Sequence, residues 1–186
     1  MKKIYTILLI CLTMIGCSTE NQEELLLTEE SEIITIESRR LDPNAENCYT
    51  EVELIAGQNY VAGIVSYQIV NDELVVTYTT SGGWEIDATH LYVGDCEAIP
   101  TNRPGNPRVG QFPYKSTEAA GTTEVVWTIP VSEFPTCGCI AAHAELSLET
   151  GNGTQNETGW ASGEQLPGNS WAMFFDYCVT GCGGPY

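Results

Sequence analysis

From position 48 onward this chain is a succession of short segments that suit β-strands, with no pattern suited to a long helix. Residues 51–55 alternate with period two, and residues 61–70 and 74–80 are rich in Val, Ile, Tyr and Thr. Asn71-Asp72-Glu73, between the last two segments, is typical of a hairpin turn. Further strand-like segments occur at residues 90–93, 124–129, 139–148 and 171–179. The pattern predicts an all-β domain, an antiparallel β-sandwich of about seven or eight strands.

A short apolar run near the start of the chain indicates export. Residues 4–15 are mostly apolar, follow two lysines, and lead into Gly16-Cys17. The run is too short for a transmembrane helix, which needs about 20 apolar residues, and it is typical of a cleaved signal. Residues 14–17 resemble the bacterial lipoprotein cleavage box, with Met14 in place of the usual leucine. The resemblance implies a signal peptide at 1–16 and acylation of Cys17, with palmitate among the chains; an ordinary secretory signal is the alternative.

The segment that follows Cys17 is acidic and contains no aromatic residue. Residues 17–47 therefore bury little apolar surface, which predicts a solvated, lipidated tether ahead of a domain at 48–186. Residues 25–27 and 33–36 are apolar enough for a short docked strand or helical turn, which is the alternative. The acids after Cys17 resemble the signal that sends lipoproteins of Bacteroidota to the cell surface. The expected location is the outer membrane, with the membrane as a partner through the N-terminal lipid.

Six cysteines follow the tether, and an even number in an exported chain predicts disulfide bonds. They are Cys48, Cys96, Cys137, Cys139, Cys178 and Cys182. The sequence leaves their pairing open. Cys137 and Cys139 are expected to bond to different partners, because one intervening residue would strain a bridge between them. A metal site is the alternative, although zinc sites prefer two or more residues between their cysteines.

The charge distribution excludes one class of partner and suggests another. The formal charge is −18, and such a field repels nucleic acid. The basic residues after position 47 are Arg103, Arg108 and Lys115, which fall within one proline-rich segment, residues 95–116. Loops of that length in compact domains are usually either functional or disordered. The functional alternative makes residues 97–115 a candidate site for an acidic partner such as an anionic polysaccharide. Phe112 or Tyr114 is expected to pin the loop to the domain.

The tryptophans divide into two groups. Trp127 and Trp171 lie in strand-like runs and are expected in the core. Trp84 follows Ser81-Gly82-Gly83, and Trp160 follows the glycine-rich segment 151–159. A tryptophan carried by a loop can be a flat platform for a sugar ring or a partner side chain, and it can equally pack onto the end of the domain.

Catalytic and metal-binding patterns are weak. His90 and His143 both lie in strand-like runs, which is typical of a hydrogen-bonded structural histidine; a metal site with Glu145 is the alternative if their strands are neighbours. Calcium at Asp87, Asp95 and Glu97, or at residues 152–157, is a further alternative, although turn chemistry explains these residues. No serine has a nucleophile-elbow context, and no carboxylate pair can be assigned. The sequence therefore predicts no catalytic residue, metal or cofactor.

Several strings occur in an order that resembles a known pattern. They are Gly82-Gly83-Trp84, Thr89 to Gly94 (THLYVG), Gly110 to Lys115 (GQFPYK), Ile140 to Ala144 (IAAHA) and Thr158 to Ala161 (TGWA). Together they resemble an uncharacterised β-rich domain of exported bacterial proteins, including surface lipoproteins of Bacteroidota, over about half the chain. The resemblance implies an extracellular module without catalytic residues, in which His90 and His143 are interior nodes of a hydrogen-bond lattice. Ala88 stands where that pattern often has glutamate, so no role for that acid is transferred.

These observations predict a surface-anchored lipoprotein that acts as a non-catalytic extracellular binding module for a glycan or a surface protein. The candidate ligand-binding residues are Trp84, Arg103, Arg108, Tyr114, Lys115 and Trp160. The alternatives are an envelope metal-dependent hydrolase or enzyme inhibitor, and a structural envelope protein.

Overall fold

The computed structural model describes residues 49–179, which form ten antiparallel strands. They are β1 (Thr50–Ala56), β2 (Tyr60–Val70), β3 (Glu73–Thr80), β4 (Trp84–Gly94), β5 (Tyr114–Thr117), β6 (Glu124–Pro130), β7 (Cys137–Thr150), β8 (Gly153–Ala161), β9 (Glu164–Gln165) and β10 (Met173–Cys178). Short 3-10 turns lie at Cys96–Ala98, Val109–Gln111 and Val131–Glu133. The described range contains no α-helix, and thus none long and apolar enough to span a membrane. The predicted all-β, antiparallel class is confirmed.

All the main strands belong to one sheet. Its order is β5-β4-β7-β8-β1-β2-β3-β6, with β10 paired to β7 and β9 paired to β10. Eight strands make up the main path, in agreement with the number expected from the sequence. The two layers that a sandwich would pack together are here two parts of this single sheet, which curls around a common core.

The curl brings the two ends of the sheet close together. Trp127 on β6, at one end, donates its indole N–H to Thr89 Oγ1 on β4 across 3.1 Å. The ring of Trp127 also packs against Tyr114 on β5, at the other end, with centroids 6.0 Å apart. These contacts close the core where β6, at one end of the sheet, meets β4 and β5 at the other end.

The inner face of the sheet carries the main hydrophobic core. Strand β3 shows the cause clearly, because its buried residues Leu74, Val76 and Tyr78 alternate with more exposed ones. The same alternation continues on the neighbouring strands, and the largest fully buried side chains include Leu54, Val65, Ile86, Leu91, Ile129, Ile140 and Leu146. The apolar residues that recur at every second position of these strands are therefore the ones that form the inner face.

The hairpin between β2 and β3 matches its sequence signal. Asn71 and Asp72 both have positive φ, 52° and 62°. Two-residue hairpin turns of the mirror-image type require this conformation at both positions, and Asn and Asp tolerate it better than most residues. The turn fixes the register of the two strands, in which Val70 pairs with Glu73.

A second, smaller hydrophobic cluster lies on the outer face of the sheet. It consists of Tyr92, Ile99, Phe112, Cys139, Ala141, Trp160, Leu166 and Ala172. Ile99 and Phe112 come from the long segment between β4 and β5, and Leu166 and Ala172 come from the segment before β10. These two segments therefore cover the outer face of β4, β7 and β8. Phe112, 1% exposed, pins the long loop as predicted.

Two disulfide bonds join described residues. Cys96 bonds to Cys139, with Cα atoms 5.0 Å apart, and Cys137 bonds to Cys178, with Cα atoms 4.1 Å apart. Cys137 and Cys139 therefore have different partners, as the sequence predicts. The Cys96–Cys139 bond ties the start of the long loop to β7. The remaining two cysteines of the predicted set, Cys48 and Cys182, lie outside the described residues.

Candidate functional site

A line of polar and aromatic residues crosses the outer face of the sheet under and beside the long loop. In the ladders of the sheet, Lys115 on β5 pairs with His90 on β4, His90 pairs with His143 on β7, and His143 pairs with Trp160 on β8. Register partners on neighbouring strands point to the same side of a sheet. Strand pairing therefore places these four residues side by side, although they lie on four different strands.

The two histidines are in direct contact. Their Nδ1 atoms lie 3.3 Å apart, and their ring centroids are separated by 5.3 Å. His143 is 4% exposed and packs against Trp160 with a centroid distance of 4.8 Å, while His90 is half-buried. The strands of the two histidines are thus neighbours, which was the condition for a metal site in the sequence interpretation.

The surroundings of the pair favour neutral imidazole rings. Burial, and then the proximity of His90, lower the pKa of His143 to about 3. Burial also lowers the pKa of His90; Glu145 opposes that change, and Lys115 adds to it. At neutral pH both rings are therefore uncharged, and each offers one nitrogen lone pair.

The long loop is held by an asparagine that the sequence interpretation missed. Asn106 Oδ1 accepts hydrogen bonds from the backbone N–H groups of Asn169, at 2.8 Å, and Ser170, at 3.0 Å. Asn102 Oδ1 in turn accepts from the backbone N–H of Asn106 at 3.0 Å. The sequence signal was present, because Asn106 stands between Gly105 and Pro107 in a turn-forming string.

Gly105 allows the long loop to approach the segment before β10 closely. Its φ is +95°, and a Cβ atom at this position would lie 2.5 Å from the carbonyl oxygen of Pro167. Any side chain here would therefore clash with backbone as well as strain the turn. The loop is consequently docked along its length and not anchored at its ends alone.

The candidate basic residues lie on the solvent side of this loop. Arg103 and Arg108 are exposed, and so is Lys115, whose Nζ donates to the Gly110 carbonyl oxygen across 2.9 Å. Tyr114 is half-buried, and its hydroxyl donates to Glu133 at 3.0 Å. Burial, together with Glu133, raises the pKa of Tyr114 to about 12, so it is a neutral donor at physiological pH.

The prediction that Trp84 and Trp160 form an exposed recognition platform is wrong. Trp84 is 5% exposed, belongs to the inner core, and packs against Tyr60 with a centroid distance of 6.0 Å. Trp160 is 4% exposed and lies on the opposite face, between His143 and Phe112. Both are strand residues, so the alternation of their strands buries them. The packing alternative is correct for both.

The other two tryptophans are less buried than the sequence suggests. Trp127 and Trp171 are each partly buried, the first against the inner core and the second against the outer cluster. Trp127 lies where the two ends of the curled sheet meet, in contact with Thr89 and Tyr114. Trp171 precedes β10 instead of lying in it.

Two of the acids proposed as calcium ligands, Asp87 and Asp95, have protein partners. Asp87 accepts a hydrogen bond from Ser147 at 3.0 Å, and Asp95 accepts one from the backbone N–H of Glu97 at 3.0 Å, where it caps a 3-10 turn. Among residues 49–179, one group of three potential metal ligands comes together: Cys96, Cys139 and Asp176. Its two sulfur atoms are joined in a disulfide, so the group offers no thiolate to a metal.

Comparisons with protein-family models, with curated proteins and with solved structures found no match to this chain. The resemblance to an exported bacterial domain therefore stays a prediction. Cys17, the signal peptide at 1–16 and the tether at 17–47 lie outside the described residues, and they also stay predictions.

Proposed function

We propose that this protein is a lipid-anchored, non-catalytic binding module of the bacterial outer membrane that recognises an anionic glycan outside the cell. The lipid at Cys17 would hold the protein at the membrane, and the acidic segment 17–47 would carry the domain away from it. The binding residues would be Arg103 and Arg108 on the long loop, with Tyr114 and Lys115 at the start of β5 beside them.

One observation carries the proposal: the exposed cations of the described residues lie on the long loop (Arg103 and Arg108) or next to it at the start of β5 (Lys115), and the loop is fixed in place. The loop is tied to β7 by the Cys96–Cys139 bond, to the outer cluster by Phe112, and to the segment before β10 by Asn106. A site whose backbone is already ordered loses less conformational entropy on binding than a mobile loop does. Rigid presentation is therefore what a recognition loop of this kind requires.

The charge pattern favours an acidic ligand. The chain carries 25 acidic and seven basic side chains, so most of its surface repels anions. Against that background, Arg103 and Arg108 offer planar guanidinium groups, which bind carboxylates and similar anions with two parallel hydrogen bonds. Because such contacts are exposed, raising the ionic strength should weaken them.

The test is an array of acidic and neutral glycans probed with the purified protein and with the double variant Arg103→Ala plus Arg108→Ala. The expected result is binding to uronic-acid or sulfated glycans that falls at least about tenfold in the variant, since each charged hydrogen bond is worth about 1.5–3 kcal/mol. A matched control, Glu73→Gln plus Glu124→Gln, alters two exposed acids on β3 and β6 and should bind as the parent does.

Two outcomes would count against the proposal. Glycan binding that survives the double arginine substitution would remove this loop as the site. Capture of a surface protein without any acidic glycan signal would replace the ligand class.

A further inference from the structure

We propose that His90 and His143 form a binding site for a tetrahedral divalent metal ion of the class of Zn²⁺. The two side chains are register partners on β4 and β7, and they converge through the same ring atom, Nδ1. The site adjoins the proposed glycan-binding residues, because Lys115 is the register partner of His90. It would place an ion on the outer face of the sheet, at the edge of the cluster that the long loop covers.

The distance between the nitrogens matches the separation of two ligands on one tetrahedral ion. Two nitrogens about 2.05 Å from such an ion lie about 3.3 Å apart, whereas a right-angled arrangement gives about 2.9 Å. The observed Nδ1–Nδ1 distance is 3.3 Å.

The orientation of the rings agrees with the same arrangement. Two imidazole rings that both point at a tetrahedral ion have centroids about 5.2 Å apart when the metal–nitrogen distance is that of zinc. The centroids of His90 and His143 are 5.3 Å apart. The ring positions are therefore consistent with the arrangement that the nitrogen distance indicates.

Without an ion, the two rings share a proton. Their Nδ1 atoms are within hydrogen-bond reach at 3.3 Å, and which ring donates depends on the tautomers. Packing on Trp160 holds His143, which is 4% exposed, in this position. An ion that replaces the shared proton would therefore find both nitrogens already converging.

The chemistry around the pair suits a cation. His143 is 4% exposed and fixed by packing, and the half-buried position of His90 leaves one member of the pair accessible from solvent. Glu145 lies two residues from His143 on the same face of β7, and its negative charge acts on His90. Lys115 beside His90 opposes cation binding, and its ammonium group is engaged with the Gly110 carbonyl.

Two histidine nitrogens leave the coordination shell of the ion incomplete. Glu145 is exposed on the same face of β7, and its carboxylate would have to turn towards the pair to supply a third ligand, with water in the remaining position. Zinc sites with three protein ligands and one exchangeable position are of the open type. The site would therefore be able to accept a group from a partner molecule.

The chain offers a clean test because it contains two histidines in all. The full chain, purified without a histidine tag and freed of metal by a chelator, is titrated with Zn²⁺ in a calorimeter. We expect one ion per chain and a higher melting temperature in the presence of Zn²⁺, since a ligand that binds only the folded state stabilises it. With Co²⁺ as the probe, we expect the visible absorption of a tetrahedral site and partial quenching of the tryptophan fluorescence, because Trp160 packs against His143.

The variants decide the location of the ion. His90→Gln changes the half-buried member and should weaken Zn²⁺ binding at least about tenfold while the protein stays folded. His143→Gln should have the same effect on binding, and Glu145→Gln a smaller one. Asp176→Asn, beside the Cys96–Cys139 disulfide, is the control and should bind Zn²⁺ as the parent does.

Three results would overturn the proposal. They are the absence of Zn²⁺ binding to the parent chain, binding that is unchanged in folded His90→Gln protein, and binding that is lost in Asp176→Asn. Because His90 is the more exposed member of the pair, its variant keeps the test decisive even if His143→Gln does not fold.

Discussion

Phe112 packs edge-on against Trp160 with ring centroids 6.4 Å apart, and this contact seats the long loop on the outer face of the sheet. Both residues belong to the outer cluster, and both are almost fully buried. Without this cluster, the loop would be held by one disulfide and a few hydrogen bonds. Hydrophobic packing in the outer cluster is thus what mainly holds the loop on the sheet.

The first prediction concerns this contact. Phe112→Ala should lower the free energy of unfolding by about 3–5 kcal/mol, because it removes a buried ring and leaves a cavity. Urea unfolding followed by circular dichroism measures the change. Val126→Ala on β6 is the control, since Val126 is 51% exposed and its truncation should alter stability by less than about 0.5 kcal/mol. Equal effects of the two substitutions would show that Phe112 is not part of a packed cluster.

Acid should destabilise the domain through His143. The pKa of this side chain is about 3 in the folded state and 6.5 without the fold, so the unfolded chain binds protons more readily between these values. Stability is therefore complete above about pH 6.5 and falls as the pH decreases towards 3. The steepest contribution of one such group is about 1.4 kcal/mol per pH unit.

Denaturant midpoints measured from pH 7 to pH 4 check this dependence. His143→Gln cannot be protonated, so its stability should change less over this range than that of the parent. The comparison is needed because carboxylates elsewhere also titrate in acid. Parallel pH curves for the two proteins would contradict the assignment to His143.

Asn106 should hold the long loop through its side-chain oxygen. Asn106→Ala removes the acceptor for the N–H groups of Asn169 and Ser170, which should cost about 1–3 kcal/mol for two hydrogen bonds. Hydrogen exchange at those two amides should accelerate in the variant. Asn106→Asp keeps the accepting oxygen and serves as the matched control, with slow exchange at both amides. Unchanged exchange in Asn106→Ala would mean that other contacts fix the segment.

The disulfide between Cys96 and Cys139 should contribute strongly to stability. It links residues 43 positions apart, and loss of a native disulfide from a small exported domain typically costs about 2–5 kcal/mol. Cys96→Ser plus Cys139→Ser should therefore lower the melting temperature clearly. Peptide mapping under non-reducing conditions should recover Cys96 with Cys139 and Cys137 with Cys178; recovery of Cys96 joined to Cys178 would contradict the pairing.

The sequence alone predicts much of the local structure because its signals act over short range. Period-two alternation marks Leu74, Val76 and Tyr78 as one face of a strand, and turn chemistry marks Asn71 and Asp72 as a hairpin. The spacing of Cys137 and Cys139 likewise excludes a bond between them. Each of these conclusions requires knowledge of a few consecutive residues.

The tertiary structure decides what the strands bring together. His90 and His143 are 53 positions apart. The residues around each of them do not reveal that β4 pairs with β7, or that the register places the two histidines opposite each other. The burial of Trp84 and Trp160 could not be predicted for a similar reason. Alternation assigns each side chain to one face of the sheet, but it does not reveal what covers that face. Strand pairing and the covering of a face are set by packing of the whole chain, so residue spacing could not supply them.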